Sequence, residues 1–209
     1  NEAFASAGLD WYWDSDLYGK LLAVTGGKER IHFFIEAFDG DAPATGDLDN
    51  YIRELHAEKT TAYARLIADG EAELRPGIEA LIRDAQARSF RLAIATTTTP
   101  ANVDALLGAT MGDSRDFEVI CAGDVVPNKK PAPDVYLLAL EQLGLTGREC
   151  VAIEDTRNGL ISAVAAGIPT VVTPGMYTHG QEFDDADQVI DDLAGYDFGK
   201  IFELTSPAG

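Results

Sequence analysis

The chain is poor in cysteine and short of positive charge relative to negative. Two cysteines, Cys121 and Cys150, each lie inside an apolar run, which suits buried thiols in a reducing cytosol and not a disulfide framework. Sixteen Lys and Arg face thirty-five Asp and Glu, for a formal charge of −19. So acidic a surface repels polyanions and excludes duplex nucleic acid as an expected partner. A small phosphorylated ligand is still admissible, because a few cations and a metal can reverse the field inside one cleft. No run is long and apolar enough for a bilayer, and no signal-peptide pattern opens the chain, so a cytoplasmic protein with no membrane partner is expected. No internal repeat or low-complexity segment is present, and no G-x-G-x-x-G follows a strand pattern, which weighs against a dinucleotide-binding domain. The first residue is Asn1, not methionine.

What is present is an ordinary globular composition: 209 residues, 46% hydrophobic and 24% charged, enough to bury a core without staples. Residues 1–71 have helical patterns rich in aromatics. Asn1–Gly8 reads as a helix tail closed by glycine, Asp14–Ala23 and Lys28–Phe38 as helices parted by Thr25-Gly26-Gly27, and Leu48–Ala68 as a long helix ended by Gly70. A turn is expected at Gly40–Gly46. Trp11, Tyr12 and Trp13 are expected to pack between helices, and His56 to lie on a helix surface.

From Leu74-Arg75-Pro76-Gly77 the character changes, and residues 72–209 alternate helices with short β-branched runs. Strands are predicted at Arg91–Ala95, Phe117–Cys121, Cys150–Ile153 and Thr170–Val172, with a shorter one at Val189–Leu193. Helices are predicted at Ile78–Arg88, Pro100–Leu107, Ala132–Leu143 and Leu160–Ala166. That alternation implies an α/β, doubly wound parallel sheet covered on both faces. The acidic stretch Glu182–Asp192 reads as a solvated surface.

In such a sheet, ligands bind beyond the carboxyl ends of the strands. The residues following successive strands are Thr96-Thr97-Thr98, then Gly123-Asp124 with Lys129-Lys130, then Glu154-Asp155. Hydroxyls, an ammonium and paired carboxylates on one rim suit a phosphoryl group beside a hard cation. Each piece also has a plainer reading. Thr98 or Thr99 before Pro100 fits a helix N-cap, Lys130 a solvated lysine, and Glu154-Asp155 the acidic start of a helix. Their ordered placement at successive strand ends favours a site.

These strings resemble the haloacid dehalogenase superfamily. Ala93-Ile94-Ala95-Thr96 is similar to its motif II, Lys130-Pro131-Ala132-Pro133-Asp134 to motif III, and Glu154-Asp155-Thr156-Arg157-Asn158-Gly159 to motif IV of the branch that includes β-phosphoglucomutase and many sugar phosphatases. Within that branch, Val24-Thr25-Gly26-Gly27-Lys28-Glu29-Arg30-Ile31, Ala95-Thr96-Thr97-Thr98 and Val172-Thr173-Pro174-Gly175-Met176-Tyr177-Thr178 resemble the CbbY-type family. Its members remove a phosphate from xylulose-1,5-bisphosphate, an inhibitor of Rubisco in the Calvin cycle.

The resemblance implies a Rossmann-like core of the haloacid dehalogenase type with a helical cap, and Mg²⁺ as cofactor. Thr96 would bond the transferring phosphoryl oxygens and Lys130 would neutralise their charge. Glu154 and Asp155 would bind the metal, with Asn158 supporting them. Thr97 and Thr98 join the substrate contacts. In the cap, Tyr18, Thr25, Gly26, Lys28 and Arg30 would face a distal phosphate or the sugar, at a helix start with two cations; Lys59 matches an active-site lysine of related mutases. The plainer reading of that cap loop is a helix cap with solvated charges.

The superfamily's motif I, Asp-x-Asp-Gly-Thr on the first core strand, supplies nucleophile and acid–base. It is absent from this sequence; the look-alike Phe38-Asp39-Gly40-Asp41 follows a helix and reads as a turn. The expectation is therefore that the cap's start is truncated, that the strand carrying motif I lies upstream, and that this stretch alone binds metal and phosphate without turnover. A monomer acting on a small phosphorylated sugar is expected. The alternatives are a phosphomutase with the same motifs and, from another class, a non-catalytic phosphate- or metal-binding fragment.

Overall fold

The structure is a computed structural model that describes residues 1–38, 46–71, 73–112 and 116–205. The expected turn at 40–46 falls almost wholly on 39–45, outside the described residues, as does most of the Phe38–Asp41 string. The chain divides into two compact units, Asn1–Ala72 and Glu73–Gly209. No helix among the described residues is long and apolar enough to cross a membrane.

The first unit is helical: α1 (Glu2–Ser6), α2 (Ser15–Leu21), α3 (Gly27–Ala37) and α4 (Leu48–Ala68). Asp14 caps α2 by accepting from the Leu17 N–H, and Asp47 caps α4 through Asn50 N–H, each satisfying a donor the helix cannot. Phe4, Ile31, Ile52 and Leu55 are buried together. Trp11 and Trp13 close this core, both meeting Phe4 and Phe34 edge to face at 4.9–5.5 Å. Tyr12 does not join them. It is 71% exposed, while Trp11 and Trp13 on either side of it are half-buried. His56 is half-buried on α4, and its ring packs on Gly27, where a Cβ would lie 2.5 Å from it.

The second unit contains α5 (Ile78–Ala87), β1 (Ala93–Thr96), α6 (Pro100–Thr110), β2 (Val119–Ala122), α7 (Asp134–Leu143), β3 (Ala152–Glu154), α8 (Arg157–Ala165), β4 (Thr170–Val172), β5 (Gln188–Val189) and α9 (Gly199–Phe202). All strand pairings are parallel. Side chains alternate between faces: Val119, Cys121 and Ala152 pack on α7 and α8, Ala122 and Ile120 on α6, and Val151 and Ile153 on the α5 and α9 side. The two-faced burial expected of a doubly wound sheet is therefore present.

The first three strands begin two residues and end one residue later than their apolar runs suggest, β4 has the expected bounds Thr170–Val172, and β5 is only Gln188–Val189 where Val189–Leu193 was expected. Thr96 and Glu154 are the last residues of β1 and β3, because each still pairs with a neighbour, Thr96 with Ala122 and Glu154 with Val172. The sheet is also in two pieces, β1–β2 and β3–β4–β5. Between β1 and β3 lies a cavity of about 600 Å³ whose walls are those two strands, α5 and α7. No strand among the described residues occupies it.

Candidate active site

The end of that cavity at the carboxyl termini of β1 and β3 gathers Thr96, Lys130, Glu154 and Asp155 with Tyr136. Each arrives by a different route. Thr96 ends β1, Lys130 lies in the loop before α7, Tyr136 is in the first turn of α7, and Glu154-Asp155 runs from the last residue of β3 into the turn before α8. The Lys130–Pro131 peptide bond is cis.

Lys130 is the hub. Its ammonium donates to the Ala95 carbonyl at 2.9 Å on β1 and to Glu154 Oε1 on β3, so one side chain bridges the two pieces of sheet. Both partners of the ion pair are nearly enclosed, with side-chain exposures of 11% and 7%. The ammonium sits 4.8 Å from the Tyr136 ring centroid. The Tyr136 hydroxyl donates to the same Glu154 Oε1. Burial, then the charge and hydrogen bond of Glu154, pushes the Tyr136 phenol well above its ordinary pKa, so it stays a donor. Glu154 Oε2 is lodged over Gly159, where a Cβ would come within 1.9 Å of it.

Glu154 is thus held by Lys130 and Tyr136 through Oε1, and Asp155 is the carboxylate left more open. The surroundings of Asp155, then the neighbouring Glu154 charge, raise its pKa; Arg75 and Lys130 oppose that. Two adjacent carboxylates in this condition suit a hard cation that takes one or two carboxylates and completes its shell with water and phosphate oxygens. No group of three or more His, Cys, Asp or Glu that could hold a metal is found among the described residues.

Thr96 Oγ1 accepts from the Thr98 N–H at 3.1 Å, which fixes the hydroxyl over the loop and leaves its proton to give. Thr97 and Thr98 do not line the cavity. Thr99 holds the N-cap position of α6 but makes no side-chain cap bond, and its buried hydroxyl has no hydrogen-bond partner among the described residues. Asn158 lies in the first turn of α8, whose cap is Thr156, accepting from Gly159 N–H at 3.0 Å. Lys129 pairs with Asp124 at 2.9 Å.

In the first unit, Gly26 takes φ +99°, a conformation that favours glycine, and Gly27 must lack a Cβ because His56 approaches it. Arg30 is more engaged than a solvated cation. Its guanidinium donates to the Leu21 and Val24 carbonyls and to the Tyr18 hydroxyl at 3.2–3.3 Å, tying α3 to the end of α2. Lys59 lies 5.1 Å from the Tyr63 ring centroid. Partial desolvation, then the like charge of Arg30, lowers the Lys59 pKa. Tyr18, Arg30 and Lys59 therefore share a cationic corner of this unit, with Thr25, Gly26 and Lys28 at the adjoining start of α3.

Sequence reasoning passed over Tyr136 and Gly159. Tyr136 sits on the apolar stripe of α7 and reads as core; Gly159 closes the motif IV string, which assigns it no role of its own. The available signal was the spacing of Gly159 from a strand-end glutamate, five residues on.

Comparison with known proteins agrees with this geometry. Residues 1–167 match the haloacid dehalogenase-like hydrolase family. The chain belongs to that family. Among haloacid dehalogenase-like relatives, Protein CbbY of Rhodobacter capsulatus is 52% identical over 206 residues, covering 98% of this chain and 88% of the relative. A crystal structure of CbbY from Rhodobacter sphaeroides in complex with xylulose-1,5-bisphosphate superposes with a TM-score of 0.86 at 46% identity, covering 93% of this chain and 85% of that one. A β-phosphoglucomutase from Clostridium difficile shares the fold, with a TM-score of 0.77 at 22% identity over 97% of this chain and 86% of that one.

Proposed function

We propose that the protein is a Mg²⁺-dependent phosphatase of a small sugar bisphosphate, xylulose-1,5-bisphosphate being the first candidate. The observation that carries the reading is the bridge of Lys130 between Ala95 and Glu154 at the strand-end side of the cavity, with Thr96 and Asp155 beside it. The CbbY relative solved with that bisphosphate supports the substrate class.

In this reading Lys130 offsets charge on the phosphoryl group from a fixed position, because Tyr136 and Glu154 hold it without reorganisation. Thr96 donates its hydroxyl to a phosphoryl oxygen. Asp155 would hold magnesium, with Glu154 behind it and Asn158 steadying that turn. Bound magnesium would neutralise further phosphoryl charge and help orient the transferring group. Thr97 and Thr98 face the substrate from the loop. Tyr18, Thr25, Gly26, Lys28, Arg30 and Lys59 take the second phosphate or the sugar; desolvation first, and then the like charge of Arg30, lower the Lys59 pKa there, and an anion would relieve the second of these.

The nucleophile is an aspartate on a strand seated between β1 and β3, which we place upstream of Asn1. It is the cavity that supports this, since parallel strand edges with donors and acceptors facing one another accept a strand. The carboxylate attacks phosphorus, the sugar oxygen leaves with a proton from a general acid, and water then releases inorganic phosphate.

The test is phosphate release from a panel of sugar mono- and bisphosphates, using the full-length polypeptide with and without Mg²⁺, beside Asp155→Ala. Mg²⁺-dependent release, abolished by Asp155→Ala, supports the reading. Transfer of the phosphoryl group to a second hydroxyl without free phosphate would make the protein a mutase. Residues 1–209 alone should be inactive, and turnover by them would remove the upstream nucleophile.

A further inference from the structure

The segment Val172–Thr178 has no part in the chemistry above, yet its ends are among the most enclosed polar positions of the second unit. Thr173 is 4% and Thr178 3% exposed, while Met176 between them is 76% exposed. A surface loop with buried hydroxyls at both ends is anchored for a reason.

The anchoring falls on one short stretch of backbone. Thr173 N–H donates to the Glu154 carbonyl at 2.7 Å. Thr178 Oγ1 donates to the Asp155 carbonyl at 2.6 Å. Arg157 N–H donates to Gln181 Oε1 at 2.7 Å. Three hydrogen bonds from a single loop thus fix the main chain at residues 154, 155 and 157. The Thr178 hydroxyl also accepts from Gly175 N–H at 2.7 Å, and of the two carbonyls within reach of its one proton, Asp155 at 2.6 Å is nearer than Gly175 at 3.3 Å. The start of the loop is pinned in turn by Arg75, whose guanidinium donates to the Thr173 carbonyl, to Thr173 Oγ1 at 3.0 Å and to the Pro174 carbonyl at 2.8 Å.

We infer that loop 173–181 is a bracket for the Asp155 turn and that Thr178 is its positioning residue, the hydroxyl setting where the Asp155 carboxylate meets a divalent cation; this rests on the reading of Asp155 as a metal ligand. A rotation of the 155 peptide would swing its side chain, and the Thr178 bond opposes that rotation from behind. Thr178 touches neither cation nor substrate in this arrangement. Arg75 acts one step further back, through Thr173 and Pro174.

The experiment compares Thr178→Val, which keeps the branched shape and removes the hydroxyl, with Thr178→Ser, which keeps the hydroxyl. Mn²⁺ binding to the full-length protein is followed by electron paramagnetic resonance, and exchange of the Gly175 amide by NMR. Thr178→Val should weaken Mn²⁺ by about tenfold or more, the scale of outer-shell losses, and speed Gly175 exchange; Thr178→Ser should restore both. Mn²⁺ binding by Thr178→Val equal to the parent's overturns the bracket. Mn²⁺ binding that also survives Asp155→Ala overturns the metal reading beneath it, and the bracket with it. Should Thr178→Val not fold, Arg75→Lys replaces a fork with a point charge at the loop's other end. It must then weaken Mn²⁺, and unchanged affinity counts against the bracket.

Discussion

Lys130 and Glu154 form an enclosed ion pair that spans the cavity between the two parallel pieces of sheet, Lys130 also holding the Ala95 carbonyl. Breaking such a pair from one side strands a charge. Lys130→Met is expected to destabilise the second unit by about 3–5 kcal/mol. Adding Glu154→Leu should recover part of that loss, since no uncompensated charge is then buried. Urea denaturation of the two variants and the parent checks it.

Tyr136 donates to the same carboxylate from the other side. Tyr136→Phe removes a buried bond to a charged acceptor, expected to be worth about 1.5–3 kcal/mol. Because burial and Glu154 raise the folded pKa of this phenol, its contribution is intact below the unfolded value of about 10 and is lost as pH rises beyond it. The parent should therefore lose stability between about pH 9 and about pH 11 more steeply than Tyr136→Phe. Urea midpoints across that range read the difference directly.

Two glycines in helices should respond to alanine with opposite signs. At Gly159 the added methyl would meet Glu154 Oε2 at 1.9 Å, forcing the carboxylate away from Lys130 and Tyr136. A loss of about 1–3 kcal/mol is expected, as for overpacked sites. At Gly108, in α6, a Cβ meets nothing within 4 Å, so Gly108→Ala should gain about 0.5–1 kcal/mol from helix propensity. Thermal unfolding of the pair is sufficient; an unchanged or raised Tm for Gly159→Ala would show that Glu154 is not held tightly against Gly159.

In the first unit, the lowered pKa of Lys59 can be titrated through its side-chain carbon resonances. Arg30→Gln removes a like charge, so the Lys59 pKa should rise toward its ordinary value of 10.5, though not fully, since desolvation is the larger cause. An unmoved titration would separate the two cations and dissolve the cationic corner. The same variant should raise KM for a bisphosphate more than for a monophosphate. It should also loosen the unit, because Arg30 ties down Leu21 and Val24.

Local periodicity made most of the fold legible. Leu48–Ala68 stands in the structure with the bounds its pattern and Gly70 imply, because an amphipathic run with an aspartate before it and a glycine after it leaves little choice. The strand-end rule likewise brought Thr96, Lys130, Glu154 and Asp155 to one cavity. What stayed hidden depends on contacts distant in sequence. Nothing local says that Tyr136 spends its hydroxyl on a residue eighteen positions away, or that Arg75 reaches ninety-eight positions to Thr173. Nor does apolar patterning tell a strand's last hydrogen-bonded residue from the first residue of its loop, which is why Thr96 and Glu154 belong to the strands.

The three bonds on residues 154, 155 and 157 are all made to main-chain atoms. Peptide groups are common to every amino acid, so the turn keeps its trace whatever side chains it displays. Exchanging Asp155 for asparagine or glutamate would thus leave the scaffold in place and alter only the donor it presents. That makes this turn a natural place to redesign ion preference, one letter at a time, without rebuilding the loop around it.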